Sequence, residues 1–171
     1  SSTVLADFAA ALSAEGERVL LVDANLRSPS LHQAFGLKRE KGLVDLLESK
    51  SDLKELIKPT PAYHLRVITS GNPPSGRFSP LDSEVLDERL QQMRGEADWV
   101  LFDCPPVNAF SDSIPLAGKV DGVVLVVEAG KTRWQAAEKA VERLKGAGGT
   151  VLGVVLNKRR FHLPRWLYQR L

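Results

Sequence analysis

The sequence predicts an α/β protein built on a doubly wound, mainly parallel sheet, and two observations carry that reading. Two short runs, 18–22 (apolar after Arg18) and 99–102, end on carboxylates, Asp23 and Asp103. Branched, apolar runs of this length fit central strands buried on both faces. Ligands of open α/β sheets bind beyond the carboxyl ends of the strands, so both acids stand where chemistry is usually done. The second observation is the alternation of strand-like and helix-like patterns along the chain. If the two acid-tipped strands are neighbours, a spacing of about 4.8 Å brings their carboxylates within several ångströms. Two such acids can share a hydrated Mg²⁺ and the phosphates it carries.

The elements follow in order. Residues 2–15 read as a helix with Leu5, Phe8, Ala9 and Leu12 on one face, ended by Gly16 as a left-handed cap. The strand 18–23 follows at once, so a first strand and its loop are expected ahead of Ser1, and the chain opens inside a βαβ unit. A polar turn leads to Pro29, which can open a short helix at 31–35. Helical segments at 42–47 and 53–57 precede a short strand at 65–69. The Gly- and Pro-containing stretch 71–80 is the expected mobile loop. An amphipathic helix at 81–94, the strand 99–103, an apolar strand at 120–128, a helix at 134–146 and a strand at 151–157 complete the pattern. No repeat, low-complexity segment or linker divides the chain, so 1–171 is expected to form a single domain.

Bulk composition bounds the function. Of 171 residues, 43% are hydrophobic and 26% charged, as in ordinary globular proteins. No run approaches the roughly 18 apolar residues of a membrane span, and no signal-peptide pattern opens the chain. The single cysteine, Cys104, excludes an internal disulfide and fits a reducing compartment. Beside Asp103 its thiolate is disfavoured, which makes it a packing residue rather than a nucleophile. The net charge of +2 is unevenly spread, since residues 158–171 hold five Lys/Arg and no acid. With the basic character confined to one tail, nucleic-acid binding is not expected.

Four stretches carry a resemblance. Ser2-Thr3-Val4 opens the first helix, where Ser/Thr is either an N-cap or a phosphate contact. Asp23-Ala-Asn-Leu-Arg-Ser-Pro29, Trp99-Val-Leu-Phe-Asp-Cys-Pro-Pro106 and Leu152-Gly-Val-Val-Leu-Asn157 follow. Together they resemble the cytoplasmic domain of bacterial tyrosine kinases and related exopolysaccharide-synthesis proteins, in the deviant-Walker P-loop group that includes ParA and MinD ATPases. The resemblance runs from Ser1 to the C-terminus.

It implies a P-loop NTPase-like fold whose first strand and P-loop either lie ahead of Ser1 or are degenerate, with ATP or ADP and Mg²⁺ as cofactors. Ser2 falls on the Mg²⁺-ligating hydroxyl and Thr3 on the one near the α-phosphate. Asp23 matches the Walker A′ acid, metal-associated and a candidate base for a tyrosine hydroxyl. Asp103 matches the Walker B acid that holds Mg²⁺ directly or through water. Arg27 belongs to the Leu-Arg-x-Pro signature of the nucleotide site. Asn157 matches the residue that reads the adenine edge, or is a strand-end turn residue. Asp112 matches a later acid, or caps a helix. Three departures stand out: Ser1 at the position of the P-loop Lys, Asn25 for the second acid of Walker A′, and no tyrosine cluster beyond Tyr168 near the C-terminus. Gly130-Lys131-Thr132 ends like a Walker A motif, but Leu125 replaces the glycine that the pattern requires, so it reads as a strand-to-helix turn.

The resemblance therefore implies a tyrosine-kinase-like module of exopolysaccharide or capsule assembly, degenerate in ATP binding, at the inner face of the cytoplasmic membrane. Its partner would be a membrane co-polymerase that controls chain length, with self-association as an addition. An autophosphorylating kinase and a ParA/MinD-type switch are the alternatives. The tail 158–171 interleaves cations with Phe161, Trp166 and Tyr168. Such a segment suits an anionic bilayer surface or a partner, or packs back on the domain.

Overall fold

The computed structural model describes residues 2–74, 81, 84–111 and 114–159. Chain order runs α1 (Ser2–Ala14), β1 (Val19–Asp23), α2 (Leu31–Ala34), α3 (Leu43–Leu47), α4 (Leu53–Leu56), β2 (Lys58–Pro59) and β3 (Leu65–Ile68). Then come α5 (Val85–Glu96), β4 (Trp99–Asp103), α6 (Ile114–Ala117), β5 (Val123–Glu128), α7 (Trp134–Gly146) and β6 (Val151–Asn157).

β1 is the centre of the molecule. All five of its residues are buried, and parallel β3 and β4 flank it. Alternation along the strand divides its side chains between two layers. Leu20 and Val22 join a cluster with Leu43, Leu46, Leu56, Leu86 and Met93 from α3, α4 and α5. Val19 and Leu21 join Ala9 of α1, Leu31 of α2, and Leu65 and Val67 of β3. The sheet is thus covered on both faces, and each fully buried Leu or Val contributes about 1.5–3 kcal/mol relative to exposure.

The sheet is not continuous. β2, β3, β1 and β4 form one four-stranded sheet in that order, and β5 with β6 forms a second. Among the described residues, β4 pairs only with β1 and β5 only with β6. α7 packs against β5, β6 and α6 and buries Ala140 and Leu144, while Val124, Leu152 and Leu156 are 51%, 68% and 57% exposed.

Several expectations shift. Phe8 turns out to be 48% exposed, whereas Ala9 and Ser13 are the buried residues of α1. The inward stripe is therefore 5–9–12–13, with Phe8 on its flank. α5 extends to Glu96 because Gly95 stays helical, and the chain becomes extended only at Ala97 (φ −149°). β5 starts at Val123 rather than 120, after a turn that leaves Val120 packed on the first core cluster. β2 is an addition: two residues antiparallel to β3 in an otherwise parallel arrangement. The left-handed cap is present at Gly16 (φ 92°), whose N–H reaches the Ser13 carbonyl at 3.1 Å while Glu17 N–H reaches Leu12 at 3.2 Å.

One close approach fixes the entry to α3. A Cβ on Gly42 would lie 2.0 Å from the Thr69 carbonyl oxygen and 2.3 Å from Gly71 N. Across this contact Leu43 N–H donates to Thr69 O at 2.8 Å and Val44 N–H to Ser70 O at 3.0 Å. Gly42→Ala is expected to destabilise by about 3 kcal/mol or more, because only backbone can yield. Gly95→Ala, in α5 with nothing within 4 Å of the added Cβ, is expected to stabilise by about 0.5–1 kcal/mol. Urea denaturation of the two variants checks both signs.

Candidate functional site

The β1–β4 register sets Asp23 directly against Asp103. At the far end of the same strands Arg18 grips Asp98, with Nη2 donating to Oδ1 at 2.7 Å and backbone N–H to Oδ2 at 2.9 Å. The guanidinium holds the exposed Asp98 carboxyl below its usual range, chiefly through that hydrogen bond. Beyond the site end, Ala24 N–H donates to the Asp103 carbonyl at 2.9 Å.

Both carboxylates are buried, Asp23 at 0% exposure and Asp103 at 1%. Asp23 is held by backbone donors. Its Oδ1 accepts from Asn25 N–H at 3.2 Å, and its Oδ2 from Ser30 and Leu31 N–H at 3.1 Å each. Burial raises its pKa above 3.8. The Leu31 N–H opposes the rise, and the charge of Asp103 adds to it.

The start of α1 closes the constellation. Ser2 Oγ donates to Asp103 Oδ2 at 2.5 Å, and Ser30 Oγ donates to Ser2 Oγ at 2.8 Å. The gathered side-chain donors are therefore carboxylate and hydroxyl oxygens, the set a hard divalent cation takes. Among the described residues no group of three or more His, Cys, Asp or Glu could cage a metal alone. Mg²⁺ fits this better than a fully protein-bound ion, because it keeps waters and borrows phosphate oxygens.

The remaining predicted residues are placed as follows. Thr3 is exposed in the first turn of α1, next to Ser2. Arg27 is exposed, and its guanidinium carbon lies 4.9 Å from the centre of the Phe110 ring, joining the loop after β1 to the loop after β4. Asn25 spends its side-chain oxygen on Ser28 N–H at 3.2 Å, as a turn residue does. Asn157 ends β6, and its Oδ1 accepts from Lys158 N–H at 2.8 Å. Nearby Glu128 is ion-paired with Lys158 at 3.3 Å and Lys131 at 3.6 Å. Gly130 (φ 73°) and Lys131 form the turn between β5 and α7, as expected. Cys104 packs on the first core cluster. Ser1, Asp112, Tyr168 and the tail from 160 onward lie outside the described residues.

Ser30 and Phe110 were not singled out by the sequence. A serine after Pro29 looks like an ordinary helix start, and nothing in a lone phenylalanine forecasts a stacked arginine.

Known proteins place this geometry. The family model for ParA, described as NUBPL iron-transfer P-loop NTPase, matches residues 1–167. The chain is 36% identical over 159 residues to tyrosine-protein kinase YwqD of Bacillus subtilis (strain 168), covering 93% of this chain and 67% of that one. The kinase domain of Escherichia coli tyrosine kinase ETK superposes with a TM-score of 0.88 at 28% identity, over 95% of this chain and 65% of that chain. The septum site-determining protein MinD of Pyrococcus horikoshii OT3, solved with Mg-ADP, superposes at 0.74 and 25% identity over 98% and 70% of the two chains.

The pKa direction of Asp23 gives a pH test. An acid whose folded pKa is raised is destabilising in its charged form. The penalty is absent below the unfolded value of 3.8 and grows as pH rises through the folded value. Asp103→Asn keeps an acceptor for Ser2 and removes the charge facing Asp23. It is expected to stabilise the metal-free protein at pH 7 by up to about 1 kcal/mol, and by less at pH 4. Denaturant midpoints at the two pH values check this.

Proposed function

The chain belongs to the bacterial tyrosine kinases within the ParA group of P-loop NTPases, and on that premise we propose that it is a nucleotide-binding, tyrosine-kinase-like module of exopolysaccharide or capsule assembly. The observation that carries the nucleotide site is the pair of in-register carboxylates, Asp23 and Asp103, with Ser2 hydrogen-bonded to Asp103. Ser2, Asp23 and Asp103 would hold Mg²⁺, and the N-terminus of the 13-residue helix α1 presents N–H groups and a positive dipole end to phosphate. Bound Mg²⁺ supplies charge neutralisation at the phosphates. Asp23, raised in pKa by burial, is suited to accept a proton from a tyrosine hydroxyl. Thr3 and Arg27 border this crevice in the proposal, and Asn157 takes the adenine edge.

Phosphoryl transfer in this reading is slow. Asn25 stands where the resemblance expects a second acid, and its side chain serves the turn through Ser28. The alternative, an active autophosphorylating kinase, is favoured by the name of the Bacillus subtilis relative. Calorimetry with ATP-Mg²⁺ tests binding, and its absence in the full-length protein would sink the nucleotide site. A phosphotyrosine time course separates the two rates. Asn25→Asp is expected to raise the rate on the order of 10-fold or more, given what one preorganised electrostatic contact contributes. A fast wild-type reaction that Asn25→Asp leaves unchanged returns the active kinase to first place.

The partner in this proposal is a membrane co-polymerase at the inner face of the cytoplasmic membrane, with self-association as an addition. Among the described residues no helix is long and apolar enough to cross a membrane, and the proposal places membrane contact at the surface of the domain. The basic, aromatic tail 158–171 supplies one, since each cation near an anionic surface contributes about 1 kcal/mol. Deletion of 161–171 is expected to weaken co-sedimentation with anionic vesicles at low salt, and high salt should release the intact protein too. Equal vesicle binding by intact and truncated protein would remove the tail from this account.

A further inference from the structure

Resting on the nucleotide reading above, we propose that Ser30 is the positioning residue of the Mg²⁺ site, holding the Ser2 hydroxyl in its ligating orientation and coupling it to Asp23. Ser30 occupies the N-cap position of α2 (Leu31–Ala34), where a serine hydroxyl ordinarily accepts a backbone N–H of its own helix. It makes no such bond. The helix start is served instead by Asp23, whose Oδ2 accepts the Ser30 and Leu31 N–H groups at 3.1 Å. The Ser30 hydroxyl is thereby released, and it donates to Ser2 Oγ at 2.8 Å across 28 residues of sequence.

A serine hydroxyl has one proton and two lone pairs. Ser2 sends its proton to Asp103 Oδ2 at 2.5 Å, and one lone pair accepts the Ser30 proton. The second lone pair is left for a cation. Fixing both other valences of Ser2 settles its rotation, which an isolated serine at a helix terminus would choose freely. Ser30 also touches both halves of the metal site at once: its hydroxyl reaches Ser2, and its N–H reaches Asp23. The path Asp103–Ser2–Ser30–Asp23 therefore ties α1, β4, the loop after β1 and β1 itself into one bonded set. Partners of metal-ligating groups act in this way, and their loss typically costs 10–100-fold in metal affinity.

The test uses the full-length protein with ADP as the probe, titrated calorimetrically in Mg²⁺ and in EDTA. Three variants are compared with wild type. Ser30→Ala removes the hydroxyl, Ser30→Gly removes it while retaining a competent N-cap residue, and Ser30→Thr retains it. Wild type and Ser30→Thr are expected to gain the same factor in affinity from Mg²⁺. Ser30→Ala and Ser30→Gly should lose on the order of 10-fold of that gain, with affinity in EDTA unchanged. An undiminished Mg²⁺ gain in both hydroxyl-free variants overturns the role of Ser30 and leaves the nucleotide site standing. An equal loss in EDTA and in Mg²⁺ overturns it as well, because that pattern marks general damage. No ADP binding by wild type in either condition overturns the nucleotide reading and the Ser30 role together.

Discussion

The pairing of β1 with β4 is the constraint on which the rest depends. Side chains in a strand alternate faces, so a slip of one residue would turn one of the two acids away from the other. Two features resist that slip. Arg18 and Asp98 clasp the entry end of the pair with three hydrogen bonds, and Ala24 N–H closes on the Asp103 carbonyl at the exit. Between them, Val19, Leu20, Leu21 and Val22 are fully buried on alternating sides. Shifting the register would move apolar side chains out of two cores at once. Alignment of Asp23 and Asp103 is therefore enforced by packing, well away from the site that uses it.

What the sequence discloses follows from the same logic. Central strands buried on both faces must be apolar throughout, so β1 announced itself, as did the acid at its end. α1 and its Gly16 cap were equally visible, since a left-handed residue after an apolar helical stripe has few other uses. β2 was not visible. Two residues carry no periodicity, and Lys58 is held by contacts distant in sequence, its Nζ donating to Lys38 O at 2.6 Å and lying 3.3 Å from Thr69 Oγ1. The expected helix end at Arg94 fell short, because Gly95 continues the helix to Glu96. A glycine costs a helix only about 1 kcal/mol, which α5 tolerates on its way to Ala97. The interruption between β4 and β5 was also hidden, because alternation of strands and helices states which elements exist and leaves open which edges bond.

At the site, residue identity was easier to read than orientation. Asp23 and Asp103 could be read from their strand ends, Ser2 came only from the family resemblance, and the structure brings the three together. Ser30 could not be recognised in this way. As a residue type at a helix start it is unremarked, and its role appears only once its hydroxyl is seen turned from its own helix toward Ser2. The same holds for Arg27, whose stacking on Phe110 depends on two loops meeting across the sheet end.

The two buried acids also explain why the site is built from so many weak donors. Burying an ionised carboxylate without compensation is costly, and the raised pKa of Asp23 records the part of that cost that remains. Three backbone N–H groups offset some of it at Asp23, and the Ser2 hydroxyl, backed by Ser30, does so at Asp103. Each of these named donors contributes a dipole and none of them is an ionised group. Asn25 adds no third acid, and in the proposed nucleotide site one divalent cation would offset the carboxylate pair. These N–H and O–H dipoles tie both acids to the fold through groups that a cation entering the proposed nucleotide site need not displace.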